Sequence, residues 1–224
     1  MFSRHDLAWL SVRGWEAAGA AAPAFERDAI AAWGARGWPA VVTRPPAGLA
    51  PGQVALGIAL PPRPDGSKPR IAIKADGADI VRSAPALGLA DAAAAAPTAW
   101  RTALAALDQQ AAAAGFSLRV YGSLSFQAVT GQAYLRTGSD IDLLLQPATR
   151  AGYRQALDLL VRHARALPLD GEFVFGDGRA VAWKELAACA HGGARVLAKS
   201  LDGVALVTID ALLATLSEDV RCTA

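Results

Sequence analysis

The sequence predicts an α+β fold: short strand-forming runs alternate with helical segments, so the strands must share mixed sheets with helices packed on them. Three observations carry this. Leu118–Tyr121 and the run from Ile141 to Leu145 are short, apolar and bounded by turn residues. Residues 149–167 have helical period, with Tyr153, Ala156, Leu157, Leu160, Val161 and Ala164 on one face and Pro168 as the stop. A chain of 224 residues, 53% of them hydrophobic, is long enough to bury a core in one large domain or two small ones.

Residues 1–90 predict a small α/β N-terminal domain. It holds a helix over 24–35, closed by Gly37 and Pro39, and strands over 40–43, 54–60 and 70–74. Between the strands lie loops rich in Pro and Gly; the second carries Arg63, Lys68 and Arg70, read either as a solvated hairpin end or as an anionic contact to substrate or carrier protein. Trp9, Trp15, Trp33 and Trp38 are read as core and interface residues. The stretch 82–97, low in complexity and holding Pro85 and Pro97, predicts a linker. A second domain, 91–224, opens with a helix over 98–114 that ends at Gly115. Strand 118–121, a helix to about 135, strand 140–145 and the helix over 149–167 follow. Then 172–175 and 179–183 form a hairpin, with a helix over 184–190 after it. Strands 195–198 and 204–208 and a helix over 210–216 complete the chain.

Composition excludes more than it proves. A net charge of +2 gives no field that would argue for nucleic acid or a membrane surface. The runs of alanine at 92–96 and 111–114 favour helix and carry no chemistry. Cys189 and Cys222 stand apart, without clustered His or Cys, so neither a zinc site nor a disulfide framework is expected. Arg4, His5, Asp6 and Arg13 interrupt any apolar run at the start, and no stretch is long enough to span a bilayer. A cytoplasmic location is the expectation.

The chemistry concentrates in 118–146. On a strand, Asp140 and Asp142 point one way while Ile141, Leu143 and Leu145 point into a core. Two like charges side by side repel, and a divalent cation between them relieves the repulsion. Hard oxygen ligands suit Mg²⁺, which keeps positions for phosphate oxygens. Gly122-Ser123, where a strand turns into a helix, offers backbone N–H groups, a hydroxyl and a helix N-terminus to phosphate. Asp-x-Asp alone is usually a solvated strand end. Strand, Gly-Ser, helix and then Asp-x-Asp leading a buried strand is a far more specific combination.

That combination resembles the signature of the DNA polymerase β-type nucleotidyltransferases. The stretches Tyr121-Gly-Ser-Leu-Ser-Phe-Gln127, Thr130-Gly131, Tyr134-Leu135 and Ser139-Asp-Ile-Asp-Leu-Leu144 narrow it further. So do Arg4-His-Asp-Leu7, Asp170-Gly-Glu172 and Ala180-Val-Ala-Trp-Lys-Glu185. Together they resemble the phosphoribosyl-dephospho-CoA transferase of malonate decarboxylase, its holo-acyl-carrier-protein synthase. The resemblance spans nearly the whole chain and is dense only after Leu118. It implies a polymerase β-like catalytic domain over 91–224. It implies triphosphoribosyl-dephospho-CoA as donor, a serine of the acyl-carrier-protein subunit as acceptor, and pyrophosphate release. It also gives Arg4 and His5 a structural or substrate-facing role.

Two-metal phosphoryl transfer needs carboxylates around two Mg²⁺ ions, and Asp140 and Asp142 supply two. Asp170 and Glu172 share parity, so either can supply the third. Asp170-Gly171 has the composition of a turn, whereas Glu172 heads the apolar run Phe173-Val174-Phe175; the sequence therefore favours Glu172. Lys184, Lys199 and Arg179 are candidates to neutralise a triphosphate. Two rivals stay open: a nucleotidyltransferase that moves a nucleotide from ATP to a small alcohol, and a carrier-protein-binding module without activity.

Overall fold

The computed structural model describes residues 2–189 and 193–218. It is an α+β protein with two sheets, whose contacts divide it into two units: Met1–Ala86 with Val129–Tyr134, and Leu87–Ala128 with Leu135–Ala224.

The first unit begins with β1 (Leu7–Leu10), α1 (Val12–Ala21) and α2 (Ala24–Ala35). Strands β2 (Ala40–Val42), β3 (Gln53–Ala59), β4 (Arg70–Asp76) and β5 (Ile80–Ala84) follow. They form an antiparallel sheet in the order β4-β3-β2-β1-β5. Helix α2 and strands β2 to β4 stand where the sequence pattern places them. Helix α1 starts at the N-cap Ser11, whose Oγ accepts from Gly14 N at 3.0 Å and donates to Asp79 Oδ1 at 2.8 Å. The Ser11 hydroxyl and the Arg13 guanidinium hold the Asp79 carboxyl below its ordinary value. Trp15 and Trp33 are buried, as expected of core residues, and the Arg82 guanidinium lies 4.1 Å from the centre of the Trp9 ring.

The second unit begins with β6 (Leu87–Gly88), α3 (Leu89–Ala93) and α4 (Thr98–Ala113). The expected linker over 82–97 is thus largely ordered structure, because Leu89, Ala92 and Ala96 fill the second unit's core. Next come β7 (Leu118–Tyr121), α5 (Gly122–Thr130), β8 (Ile141–Leu145) and α6 (Arg150–His163). Then β9 (Leu169–Val174), β10 (Ala180–Ala182), α7 (Trp183–Ala188), β11 (Arg195–Lys199), β12 (Val204–Thr208) and α8 (Ile209–Leu213) complete the described chain. The sheet order is β12-β11-β10-β9-β8-β7-β6, and β8 pairs with β9 in parallel across the α6 crossover. Ala190, the expected end of α7, and Cys222 lie outside the described residues.

Three boundaries differ from the sequence pattern. Helix α5 stops at Thr130, since Gly131 takes φ +70° and Tyr134 turns into the first unit, donating from its hydroxyl to Ala59 O at 2.7 Å. Helix α6 stops at His163, because Leu167 is buried and Pro168 O must accept from Ile141 N at 2.8 Å as β9 begins. Its buried face is Tyr153, Ala156, Leu159 and Leu160, while Val161 is exposed. Strand β9 begins at Leu169, so Asp170 and Gly171 belong to the strand and not to a turn.

Gly171 explains that last difference. Its φ is +129°, and any Cβ there would run into the backbone of Leu143 on β8. It is a glycine because two backbones touch, the same composition that marks a turn elsewhere. Gly178 also has a positive φ but faces open space. Gly178→Ala should therefore cost only about 1–2 kcal/mol. Gly171→Ala should cost more than roughly 4 kcal/mol, since no side-chain rotation relieves a backbone clash. Urea unfolding of both variants checks this; equal midpoints would contradict the close β8–β9 contact.

Candidate active site

The parallel pairing of β8 with β9 sets Asp142 opposite Asp170 and Leu144 opposite Glu172. The antiparallel pairing of β7 with β8 sets Tyr121 opposite Asp142 and Arg119 opposite Leu144. Paired residues project from the same face of a sheet, so Arg119, Tyr121, Asp142, Asp170 and Glu172 share one face. The opposite face is apolar: Leu118, Val120, Ile141, Leu143 and Phe173 belong to the core. Asp140 is exposed one residue before β8. The turn leading to it is fixed by Ser139, whose N–H donates to Arg136 O and whose Oγ accepts from Arg136 N, both at 2.9 Å.

Gly122 follows β7 directly and has φ +67°. A Cβ at that position would run into Asp142 Oδ2, so the Asp142 carboxylate lies against the first residue of α5. Ser123, half-buried in the first turn, follows it. The Gly-Ser turn and the second aspartate of Asp-x-Asp are thereby neighbours. The glycine is needed for its positive φ and for the room it leaves that carboxylate.

Lysines meet both candidates for the third carboxylate. Lys184 Nζ stands 3.5 Å from Asp170 Oδ2, and Lys199 Nζ donates to Glu172 Oε1 at 3.0 Å. Glu172 is 4% exposed, whereas Asp170 is half-buried and its Oδ1 accepts from Gly171 N at 2.8 Å. The register thus places Asp170 directly beside Asp142, and Glu172 one pleat further along, opposite Leu144. Arg179 does not join this group: it pairs with Asp177 in the β9–β10 turn, Nε to Oδ2 at 2.6 Å. Arg119 and Tyr121 were not singled out from the sequence. The signal was present, since buried Leu118 and Val120 force the residues between and after them onto the aspartate face.

Arg4 and His5 belong to the first unit. The Arg4 Nη2 and His5 Nε2 atoms lie 3.3 Å apart, and His5 holds φ +71°, rare for a residue with a side chain. His5 N donates to Val42 O at 2.9 Å, which fixes the bend before β1.

Among the described residues no three His, Cys, Asp or Glu side chains already converge as a metal site. The sheet provides a pair, Asp142 and Asp170, on adjacent strands roughly 4.8 Å apart, with exposed Asp140 sharing their parity. An all-carboxylate donor set of this kind fits a hard cation such as Mg²⁺.

Comparison with known proteins bears on what this face serves. Residues 88–210 match the family model described as the phosphoribosyl-dephospho-CoA transferase MdcG C-terminal domain, and residues 3–86 match that of the N-terminal domain. The chain belongs to this transferase family. A phosphoribosyl-dephospho-CoA transferase of Xanthomonas campestris pv. campestris is 42% identical over 214 residues, 95% of this chain and 97% of that protein. One of Bradyrhizobium diazoefficiens is 36% identical over 208 residues, 91% of this chain and 89% of its own. No solved structure matches the chain. The C-terminal family match contains the whole aspartate face, from Arg119 to Lys199.

In this family member the contact between Gly122 and Asp142 is directly testable. Gly122→Ala should stay folded, losing about 1–2 kcal/mol to the left-handed backbone. Its turnover should fall about 100-fold, because the new methyl displaces the Asp142 carboxylate. Steady-state rates beside a urea melt check this. Normal turnover in a folded variant would show that the carboxylate is free to sit elsewhere.

Proposed function

We propose that the chain transfers the phosphoribosyl-dephospho-CoA group from triphosphoribosyl-dephospho-CoA to a serine hydroxyl of the malonate decarboxylase acyl-carrier subunit, releasing pyrophosphate. The observation that carries this is the juxtaposition of Asp142 with Asp170 and with the Gly122-Ser123 turn, in a chain of this family. A cytoplasmic location belongs to the same proposal. Among the described residues no helix is long and apolar enough to cross a membrane.

Each residue then has a task. The first turn of α5, at Gly122 and Ser123, presents backbone N–H groups and a hydroxyl to the donor's phosphates. Asp170 takes the proton of the acceptor serine; it stands on the strand beside Asp142, half-buried and within reach of both lysine and solvent. The serine oxygen bonds to the α-phosphorus, the bond from that phosphorus to the bridging oxygen breaks, and pyrophosphate leaves with the electron pair. Lys184 and Lys199 face the charge that collects on the leaving group. Asp140, Asp142 and Asp170 are the residues that would hold Mg²⁺. When bound, two such ions would make the acceptor hydroxyl more acidic and neutralise the phosphates.

Mass spectrometry of the apo carrier protein, incubated with enzyme, Mg²⁺ and donor, tests this. The expected result is a carrier heavier by one phosphoribosyl-dephospho-CoA group, with one pyrophosphate released per carrier. Excess chelator should abolish the gain, and added Mg²⁺ should restore it. Full modification in chelator would overturn the metal assignment. ATP-dependent labelling of a small alcohol, with the carrier unmodified, would overturn the substrate assignment.

A further inference from the structure

Asp142 and Asp170 stand on paired strands, and the ladder between β8 and β9 sets them. Asp140 does not share that support, because it precedes β8 by one residue. Its position depends on residues 131–140, which join α5 to β8. Part of this connection belongs elsewhere: the chain leaves the second unit after Ala128 and returns to it at Leu135.

One side chain meets the returning chain. Gln127, in the second turn of α5, accepts at Oε1 from Leu135 N at 2.9 Å. At its other head, Nε2 donates to Ala95 O, at 2.6 Å, in the bend before α4. Ala95, Ala128 and Leu135 all pack against the second unit's core, so the amide is seated on solid ground at both ends. A carbonyl only accepts and a backbone N–H only donates, so these contacts fix which head of the amide is which. They also explain the residue type. Glutamate has the acceptor without the donor, methionine has the length with neither, and asparagine is shorter by a methylene.

Chain lengths show why such an anchor matters. From Gln127 back to Gly122 is five residues of helix, about 7.5 Å. From Leu135 forward to Asp140 is also five residues, which fully extended would cover roughly 17 Å. Tyr121 pairs with Asp142, so the connection must end beside the start of α5, with about twice the chain it needs. The excess is taken up in a turn. Ser139 N donates to Arg136 O and Arg136 N donates to Ser139 Oγ, both at 2.9 Å, and Gly138 has φ +83°. A turn closed on itself has a shape, but its place is set by what holds its two ends. One end is held where Ile141 N donates to Pro168 O at 2.8 Å. The other is held at Leu135 by Gln127.

We infer that Gln127 is a positioning residue for Asp140: its amide clamps Leu135 to the bend at Ala95, and so keeps Asp140 beside the carboxylates of Asp142 and Asp170. The inference rests on the reading of Asp140 as a metal ligand. Helix α5 then sets both aspartates of Asp-x-Asp. Its first residue, Gly122, leaves room for the Asp142 carboxylate, and Gln127 holds the connection that ends at Asp140.

Two readouts test this, and neither needs turnover. The first is hydrogen exchange of the metal-free enzyme at the Leu135, Arg136 and Ser139 amides. The second is binding of Mn²⁺, which takes the same oxygen ligands as Mg²⁺ and is measured by spin resonance of the free ion. In folded Gln127→Met the three amides should exchange at least tenfold faster, and Mn²⁺ should bind about tenfold more weakly. Gln110→Met, the same change on α4 beside His163, should alter neither. Gln127→Glu keeps the acceptor for Leu135 and should recover most of the protection and most of the affinity. It also serves as the test protein if Gln127→Met does not fold. In an Asp140→Asn background, Gln127→Met should weaken Mn²⁺ no further, because a residue that acts through Asp140 then has nothing to place. Further weakening in that background would overturn the inference, as would unchanged Mn²⁺ affinity in a variant whose amides have lost protection. Unchanged exchange in Gln127→Met would sink the clamp and leave the metal reading intact. A wild type that binds no Mn²⁺, while Gln127→Met frees the three amides, would sink the metal reading and leave Gln127 as the residue that places Asp140.

Discussion

Everything at the candidate site depends on how closely β8 and β9 approach. The contact closes on Gly171, where the backbone of Leu143 occupies the space any side chain would need. That approach fixes the parallel register, and the register decides which carboxylates become neighbours. A slip of one residue would turn Asp170 into the core and Gly171 toward the site. A glycine in the middle of a strand costs backbone entropy. Here it brings Asp142 and Asp170 together at a separation of one strand spacing.

The charges follow from that geometry. Two carboxylates on adjacent strands repel, and Lys184 at 3.5 Å from Asp170 offsets part of the repulsion. Glu172 is in a different position. It is almost fully buried and forms an ion pair with Lys199 at 3.0 Å. One carboxylate is thus open in part to solvent, and the other ties β9 to β11 across β10. The alanines of β10 let that happen, since any larger residue at 180 or 182 would stand in the path of the lysine.

Much of the scaffold was legible because its signals are local. Leu118–Tyr121 lies between Gly115 and Gly122, and 24–35 is closed by Gly37 and Pro39, so strand β7 and helix α2 were bounded by their own residues. Strand β1 and helix α1 were not found: the strand is four residues long and passes into the helix across Ser11 with no Gly or Pro between them. The Asp-x-Asp pair and the Gly-Ser turn were legible through their spacing, and their contact through Gly122 was not. The register of Asp170 beside Asp142 was not legible, for a physical reason. Asp-Gly reads as a turn wherever the glycine's purpose is conformational, and at Gly171 the purpose is proximity to another strand. Lys199, which neutralises Glu172, comes 27 residues later and is invisible to any local pattern.

The central claim is that Asp170, beside Asp142, takes part in the reaction, while Glu172 serves structure through Lys199. Pyrophosphate release by Asp170→Asn and Glu172→Gln, at saturating Mg²⁺ and donor and with folding checked by circular dichroism, tests it most directly. Asp170→Asn should be folded and slowed by about 10² to 10⁴. Glu172→Gln should retain turnover within roughly tenfold and unfold at lower urea, since Lys199 loses its buried partner. A fast Asp170→Asn beside a stable but inactive Glu172→Gln would contradict the account.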